Sequence, residues 1–130
     1  MRIEHAFDFG HVTLYDLYLI GEAHFGVHFG EAELRATLTW AQPHYREPFG
    51  YISVRTHDHS RDLSAYRILS EYTHVLASLA VVHPKGDPYR IGELERKIAI
   101  RYLKIALFDS TEDAVAWTVQ LVKNARAQPR

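Results

Sequence analysis

Cysteine is absent from the 130 residues. Disulfides, thiolate metal sites and cysteine nucleophiles are thereby excluded. Methionine occurs once, and the five prolines and seven glycines stand singly rather than gathered into linkers. No internal repeat or low-complexity tract interrupts the chain. Long apolar runs are missing too: residues 75–82 form the longest, and Ser78 breaks it, far short of the ~20 residues that cross a bilayer. Neither sign of charge prevails. Fifteen Lys and Arg against sixteen Asp and Glu leave a formal charge of −1, so nothing pulls the chain in bulk toward nucleic acid or anionic lipid. The opening Met1-Arg2-Ile3-Glu4-His5 lacks a basic region followed by an apolar run, so no signal peptide is expected and a cytoplasmic location is.

What is present is ordinary for a folded chain, with 47% apolar and 24% charged residues. One domain spanning 1–130 follows from that length and composition. Residues 3–9, 12–15 and 17–23 are β-rich, with a break expected at Gly10-His11 and a turn at Asp16. Gaps this short require antiparallel pairing, because a parallel crossover needs a dozen residues or more. Leu34, Leu38, Ala41 and Tyr45 then recur at helical spacing, with Pro43 shortening the last turn. Strands follow at 49–55, 76–82 and 104–108, and helices at 63–72, around 91–100, and from Ser110 to about Ala125. The polar stretch 56–62 reads as a loop, as does 84–88. The continuous apolar run 76–82 is the pattern of a strand covered on both faces. Ser110 is positioned as an N-cap, with Asp109 competing, and Ala114, Trp117, Leu121 and Ala125 form the last helix's apolar stripe. The order is β-β-β-α-β-α-β-α-β-α. It predicts an α/β fold: a mixed, mostly parallel sheet with antiparallel N-terminal strands, right-handed crossovers and helices packed on it.

This layout resembles the SpoIIAA-like proteins, the STAS-type fold of anti-sigma-factor antagonists. Besides element order, the resemblance rests on Pro48-Phe49-Gly50-Tyr51-Ile52-Ser53-x-Arg55, followed by Ser60-x-Asp62 and Tyr66. It rests also on Phe108-Asp109-Ser110-x-Glu112-Asp113-Ala114-x-x-Trp117. The resemblance implies a small regulatory or interaction domain rather than a catalyst. Antagonists of that family carry a phosphorylatable Ser or Thr at the start of the helix after a central strand, and Ser60 is the nearest positional match.

Nine histidines are the unusual count. In Thr56-His57-Asp58-His59-Ser60-Arg61-Asp62, two imidazoles and a carboxylate could in principle meet one ion. The spacing fails the His-x-His-x-Asp-His signature of metal-dependent hydrolases, however. A solvated loop capping the next helix fits better, so no metal or other cofactor is expected. His24 and His28 are four apart but flank Gly26, which argues for a loop. The stronger candidate is an anion or phosphate site. Arg55, Ser60, Arg61, Asp62 and Ser64 follow a strand of the parallel sheet, on the side where open α/β sheets bind ligands and where helix N–H groups are free. The competing expectation pairs Arg55 with Asp58 or Asp62 on the surface.

There is no Gly-x-Ser-x-Gly elbow and no phosphate-binding glycine loop. The expectation is therefore a non-catalytic module with a protein partner, a second copy of the chain among the candidates. The alternative is a small-ligand or lipid-binding domain with a pocket between the helices 63–72 and 91–100 and the sheet. An exposed apolar patch would accompany the first, and a pocket of a few hundred Å3 the second. Burial of the run 76–82 carries its own test: Val81→Asp or Leu79→Asp would place an unpaired charge in the core and is expected to abolish soluble expression.

Overall fold

The computed structural model describes residues 1–24, 28–54, 60–61, 63–82 and 103–128, and for 28–29, 60–61 and 63–67 the backbone alone. The chain opens as a three-strand meander. β1 (Arg2–Phe7), β2 (Gly10–Tyr15) and β3 (Tyr18–Ala23) pair antiparallel across two-residue turns at Asp8-Phe9 and Asp16-Leu17. The break expected at Gly10-His11 lies two residues earlier, and both residues belong to β2. Gly10 serves close strand approach rather than the turn: a Cβ there would run into the carbonyl oxygen of Glu22 on β3. Asp8, a turn-forming residue, takes the bend instead.

β4 (His28–Phe29) and α1 (Glu31–Ala41) follow. Leu34, Leu38 and Ala41 are buried, as their spacing predicts. The α-helix stops before Tyr45: Pro43 lacks an N–H, and Gln42–His44 tightens into a single 3-10 turn. β5 (Phe49–Val54) returns parallel to β3, β7 (Leu76–Val82) adds parallel to β5, and β8 (Ile105–Phe108) adds parallel to β7. The sheet thus has six strands ordered β1-β2-β3-β5-β7-β8, the order of the chain itself. Residues 63–72, expected as an α-helix, form a 3-10 helix. Its buried Leu69 and Tyr72 are three apart, which stacks them on one face of a three-residue turn. The expected polar loop 56–62 contains a two-residue strand, β6 (Ser60–Arg61), paired parallel to β4. The loop 84–88 and the helix predicted around 91–100 lie outside the described residues.

Helices lie on both faces of the sheet. Crossovers of one hand stepping the same way along a sheet must share a face, and α1 and the 3-10 helix do, in contact with each other. Beneath them lies the larger core: Val12, Leu14, Leu19, Phe49, Tyr51, Leu79 and Val81, with Leu34, Leu38, Leu69 and Tyr72 above. On the other face α2 (Thr111–Ala127) rests over Ile52, Val54, Ala80 and Val82 through Ala114. β7 is accordingly buried on both sides. One residue, Ala77, is an extra in its pairing with β5, so Leu76 and Leu79 share a face although three apart.

Ser110 caps α2, its hydroxyl accepting from the Asp113 N–H at 3.2 Å. The buried line of α2 is Ala114, Thr118 and Val122 rather than the expected Ala114, Trp117, Leu121 and Ala125, which flank it. The reason is Gly50. Without a side chain there, α2 settles with Thr118 and Val122 directly over β5, and a Cβ would overlap the Thr118 methyl. The Ser78 and Thr118 hydroxyls, both fully buried, have no hydrogen-bond partner among the described residues. Gly50→Ala is therefore expected to destabilise the fold by about 1–3 kcal/mol through overpacking. Adding Thr118→Ser, which removes the overlapped methyl, should restore part of that loss in urea melts. Equal midpoints for Gly50→Ala and the parent would contradict this packing.

Candidate functional site

All four parallel strands end on the same side, at Ala23, Val54, Val82 and Phe108. Both α-helices begin there, one on each face. Among the described strands the order never reverses, so they form no crevice of the kind that opens where crossovers diverge. The distinguishing local feature is the β4–β6 pair. It joins the segment after β3 to the segment after β5, with His28 opposite Ser60 and Phe29 opposite Arg61, and β4 lies against α1. At the start of α1 the Gly30 N–H donates to Glu33 Oε1 at 2.9 Å, and at the start of α2 the Ser110 hydroxyl accepts from the Asp113 N–H.

Ser60 and Arg61 are therefore neighbours on one short strand, and Ser64 lies in the 3-10 helix Leu63–Tyr72. Arg55 and Asp62 of the anion-site expectation, and His57 and His59 of the metal expectation, lie outside the described residues. Five histidines are described with side chains, His5, His11, His24, His44 and His74, and all five are exposed. His11 approaches Glu22 to 3.8 Å. Among the described residues, no three His, Asp or Glu side chains gather as metal ligands. No described helix is long and apolar enough to cross a membrane.

The opposite end of the sheet is held by polar contacts to backbone carbonyls. Tyr45 Oη lies 2.7 Å from the carbonyl of Tyr15 and 2.9 Å from that of Tyr18, donating into the turn between β2 and β3. Its ring stacks on Phe49, centroids 4.2 Å apart. Arg126, near the end of α2, donates from Nε to the Pro48 carbonyl at 2.8 Å and from Nη2 to the Asp16 carbonyl at 3.0 Å. An open pocket of about 580 Å3 lies here, lined by Asp16, His44, Tyr45, Arg46, Glu47 and Arg126 among others. A second, of about 290 Å3, lies under the far end of α2, between Leu76, Leu103, Leu121 and Ala125. Burial holds the Tyr45 hydroxyl well above its ordinary value near 10, and burial beside Tyr15 raises Tyr18 as well. On the other face, Arg35 bridges Glu71 at 2.9 Å and Glu31 at 3.1 Å, tying α1 to the 3-10 helix.

The feature that motif reading missed is a sheet face. α2 lies over β5, β7 and β8, touches β3 lightly and leaves β1 and β2 uncovered. Arg2, Glu4, Ala6, His11, Tyr15, Tyr18 and Glu22 share that face by the alternation of their strands, each exposed or half-exposed. The Tyr15 and Tyr18 rings sit 4.9 Å apart. Arg2 and Glu4 flanking Ile3 are the signal in the sequence, although they do not say which helix fails to cover a strand. No protein family, curated relative or solved structure matches the chain.

The raised Tyr45 hydroxyl has a consequence at high pH. The unfolded chain ionises this group above pH 10 while the folded chain keeps it neutral, so stability falls as pH rises past 10. The slope is about 1.4 kcal/mol per pH unit for each such group. Tyr45→Phe is expected to lower the urea midpoint at pH 8 by about 1 kcal/mol equivalent, for the lost hydrogen bond, and to decline less steeply above pH 10. Parallel alkaline limbs for variant and parent would show that Tyr45 is not the linked group.

Proposed function

We propose that this chain is a non-catalytic regulatory or protein-interaction domain, of the SpoIIAA-like kind that its sequence resembles. One observation carries the reading: α2 leaves one face of β1 and β2 uncovered, with Arg2, Glu4, Ala6 and His11 exposed on it. Its chemistry is that of a wet protein interface, two adjacent tyrosines with charges of both signs around them. An uncovered sheet face offers a small molecule little enclosure, whereas a protein can meet it with many side chains at once. The exposed apolar patch expected of an interaction domain does not accompany it: Met1, 49% exposed, is the one large hydrophobic exposed among the described residues. The expected partner is therefore bound transiently and through polar contacts. The anion site at Arg55, Ser60, Arg61, Asp62 and Ser64 belongs to the same reading, as the place where a phosphate on Ser60 would bias such binding.

The alternative, a small-ligand or lipid-binding domain, draws on the 290 Å3 pocket, whose lining includes Leu76, Leu103, Leu121 and Ala125. That pocket lies under α2, not beneath residues 63–72.

Site-specific photo-crosslinking in cells separates the readings. A photoreactive residue at Ala6, His11 or Glu22 is expected to give discrete protein adducts that the same residue at Ala116 or Lys123, on the solvent side of α2, does not. Indistinguishable labelling from the two sets would overturn the interaction role of this face.

A further inference from the structure

β1 is an outer strand of the sheet, and no described residue pairs with its free edge. The two-residue turn at Asp8-Phe9 makes Phe7 and Gly10 a hydrogen-bonded pair, so Phe7, His5 and Ile3 direct their backbone groups inward to β2. Arg2, Glu4 and Ala6 direct theirs outward. The N–H and C=O groups of these three residues, unpaired among the described residues, form a template for one more strand. Their side chains restrict which strand that can be.

From this edge we infer that β1 pairs antiparallel with β1 of a second copy, joining two sheets into one across a two-fold axis. Hydrogen bonding requires outward residues to face outward residues, which leaves only registers that differ by two. Centring the axis on Glu4 sets two carboxylates against each other. Centring it on Ala6 sets Glu4 against Asp8 twice. Centring it on Ile3 matches Arg2 with Glu4 but leaves the Ala6–Asp8 half of the edge unpaired. Centring it on His5 uses the whole edge: Arg2 of each copy faces Asp8 of the other, Glu4 faces Ala6, and Ile3 faces Phe7 on the side of α1. The cross-strand charge pattern therefore favours this longest register and opposes its neighbours.

The surroundings of His5 agree. Its ring stacks on Trp40 at 4.7 Å and meets the edge of Phe7 at 4.5 Å, and Phe7 stacks on Phe9 at 4.8 Å. In the His5-centred register two such aromatic clusters abut at the axis. The open face described above becomes continuous across both copies. The pairing uses the strand edge, and that reading uses the face, so either stands without the other.

Charge reversal tests this register. Arg2 and Glu4 are both exposed and Asp8 lies in a turn, so none of these changes touches the core. The parent is expected to sediment at twice the 15.0 kDa chain mass as concentration rises. Arg2→Asp alone and Asp8→Arg alone should each shift dissociation at least tenfold toward monomer, since each sets like charges together twice. An equimolar mixture of the two variants should recover dimer, because a mixed pair restores both opposite-charge contacts. A parent that stays monomeric up to about 1 mM, the weak end of specific association, overturns the inference. So does a dimer indifferent to both single changes, or a mixture that stays dissociated. Circular dichroism of each variant confirms that the fold is retained. Crosslinks from the sheet face that persist in the monomeric variants would leave the partner reading intact while the dimer reading fails.

Discussion

The approach of α2 to the sheet at Gly50 governs much of the remaining architecture. A helix normally rests on a layer of side chains, yet here Thr118 and Val122 descend to the β5 backbone. That contact sets the rotation of α2, so the buried line runs through Ala114, Thr118 and Val122. It also sets where the helix crosses, over β5 and β7 rather than over the meander. The uncovered face of β1 and β2 follows from it. The contact depends on shape more than polarity, since the Ser78 and Thr118 hydroxyls it encloses are desolvated with no partner among the described residues.

The two ends of the sheet are organised differently. At the end where the parallel strands start, Tyr45 and Arg126 spend their polar groups on backbone carbonyls of Tyr15, Tyr18, Asp16 and Pro48. These bonds fix the turn between β2 and β3 against both the 3-10 turn after α1 and the end of α2. These donors are structural: both are committed to backbone carbonyls rather than presented to the pocket. At the other end Glu33 accepts from the Gly30 N–H before α1, and Ser110 caps α2. Chemistry at that end falls to the segments between elements, of which the β4–β6 pair is the described portion.

Much of the fold was legible because its signals are local. The run 76–82, the spacing of Leu34, Leu38 and Ala41, Pro43 as a stop and Ser110 as a cap each act within a turn or a strand. The misses are tertiary. Gly10 and Gly50 look like punctuation in sequence, but each marks a close approach by a distant element. Thr118 is polar by residue type, although its methyl group is what packs. Residues 63–72 carry a helical apolar pattern that does not distinguish α from 3-10 geometry over so short a stretch. The candidate site was the least legible part. Residues 55–62 are polar and without periodicity, so only residue types and position in the strand order spoke for them. Of that set, the backbone of Ser60 and Arg61 alone finds a place, beside His28 and Phe29.

The coincidence of sheet order with chain order bears on how the molecule assembles. Each strand joins the edge of the one before it, so a growing chain can add them in the sequence of its synthesis without inserting one between two others. Two-residue turns close the meander first, at little entropic cost. The long closures come last, when Arg126 reaches Asp16 across 110 positions of the chain. Until that final helix arrives, the apolar residues Ile52, Val54, Ala80 and Val82 face solvent. The period before α2 docks is thus the window in which this chain is most exposed to aggregation, and the last twenty or so residues decide when it closes.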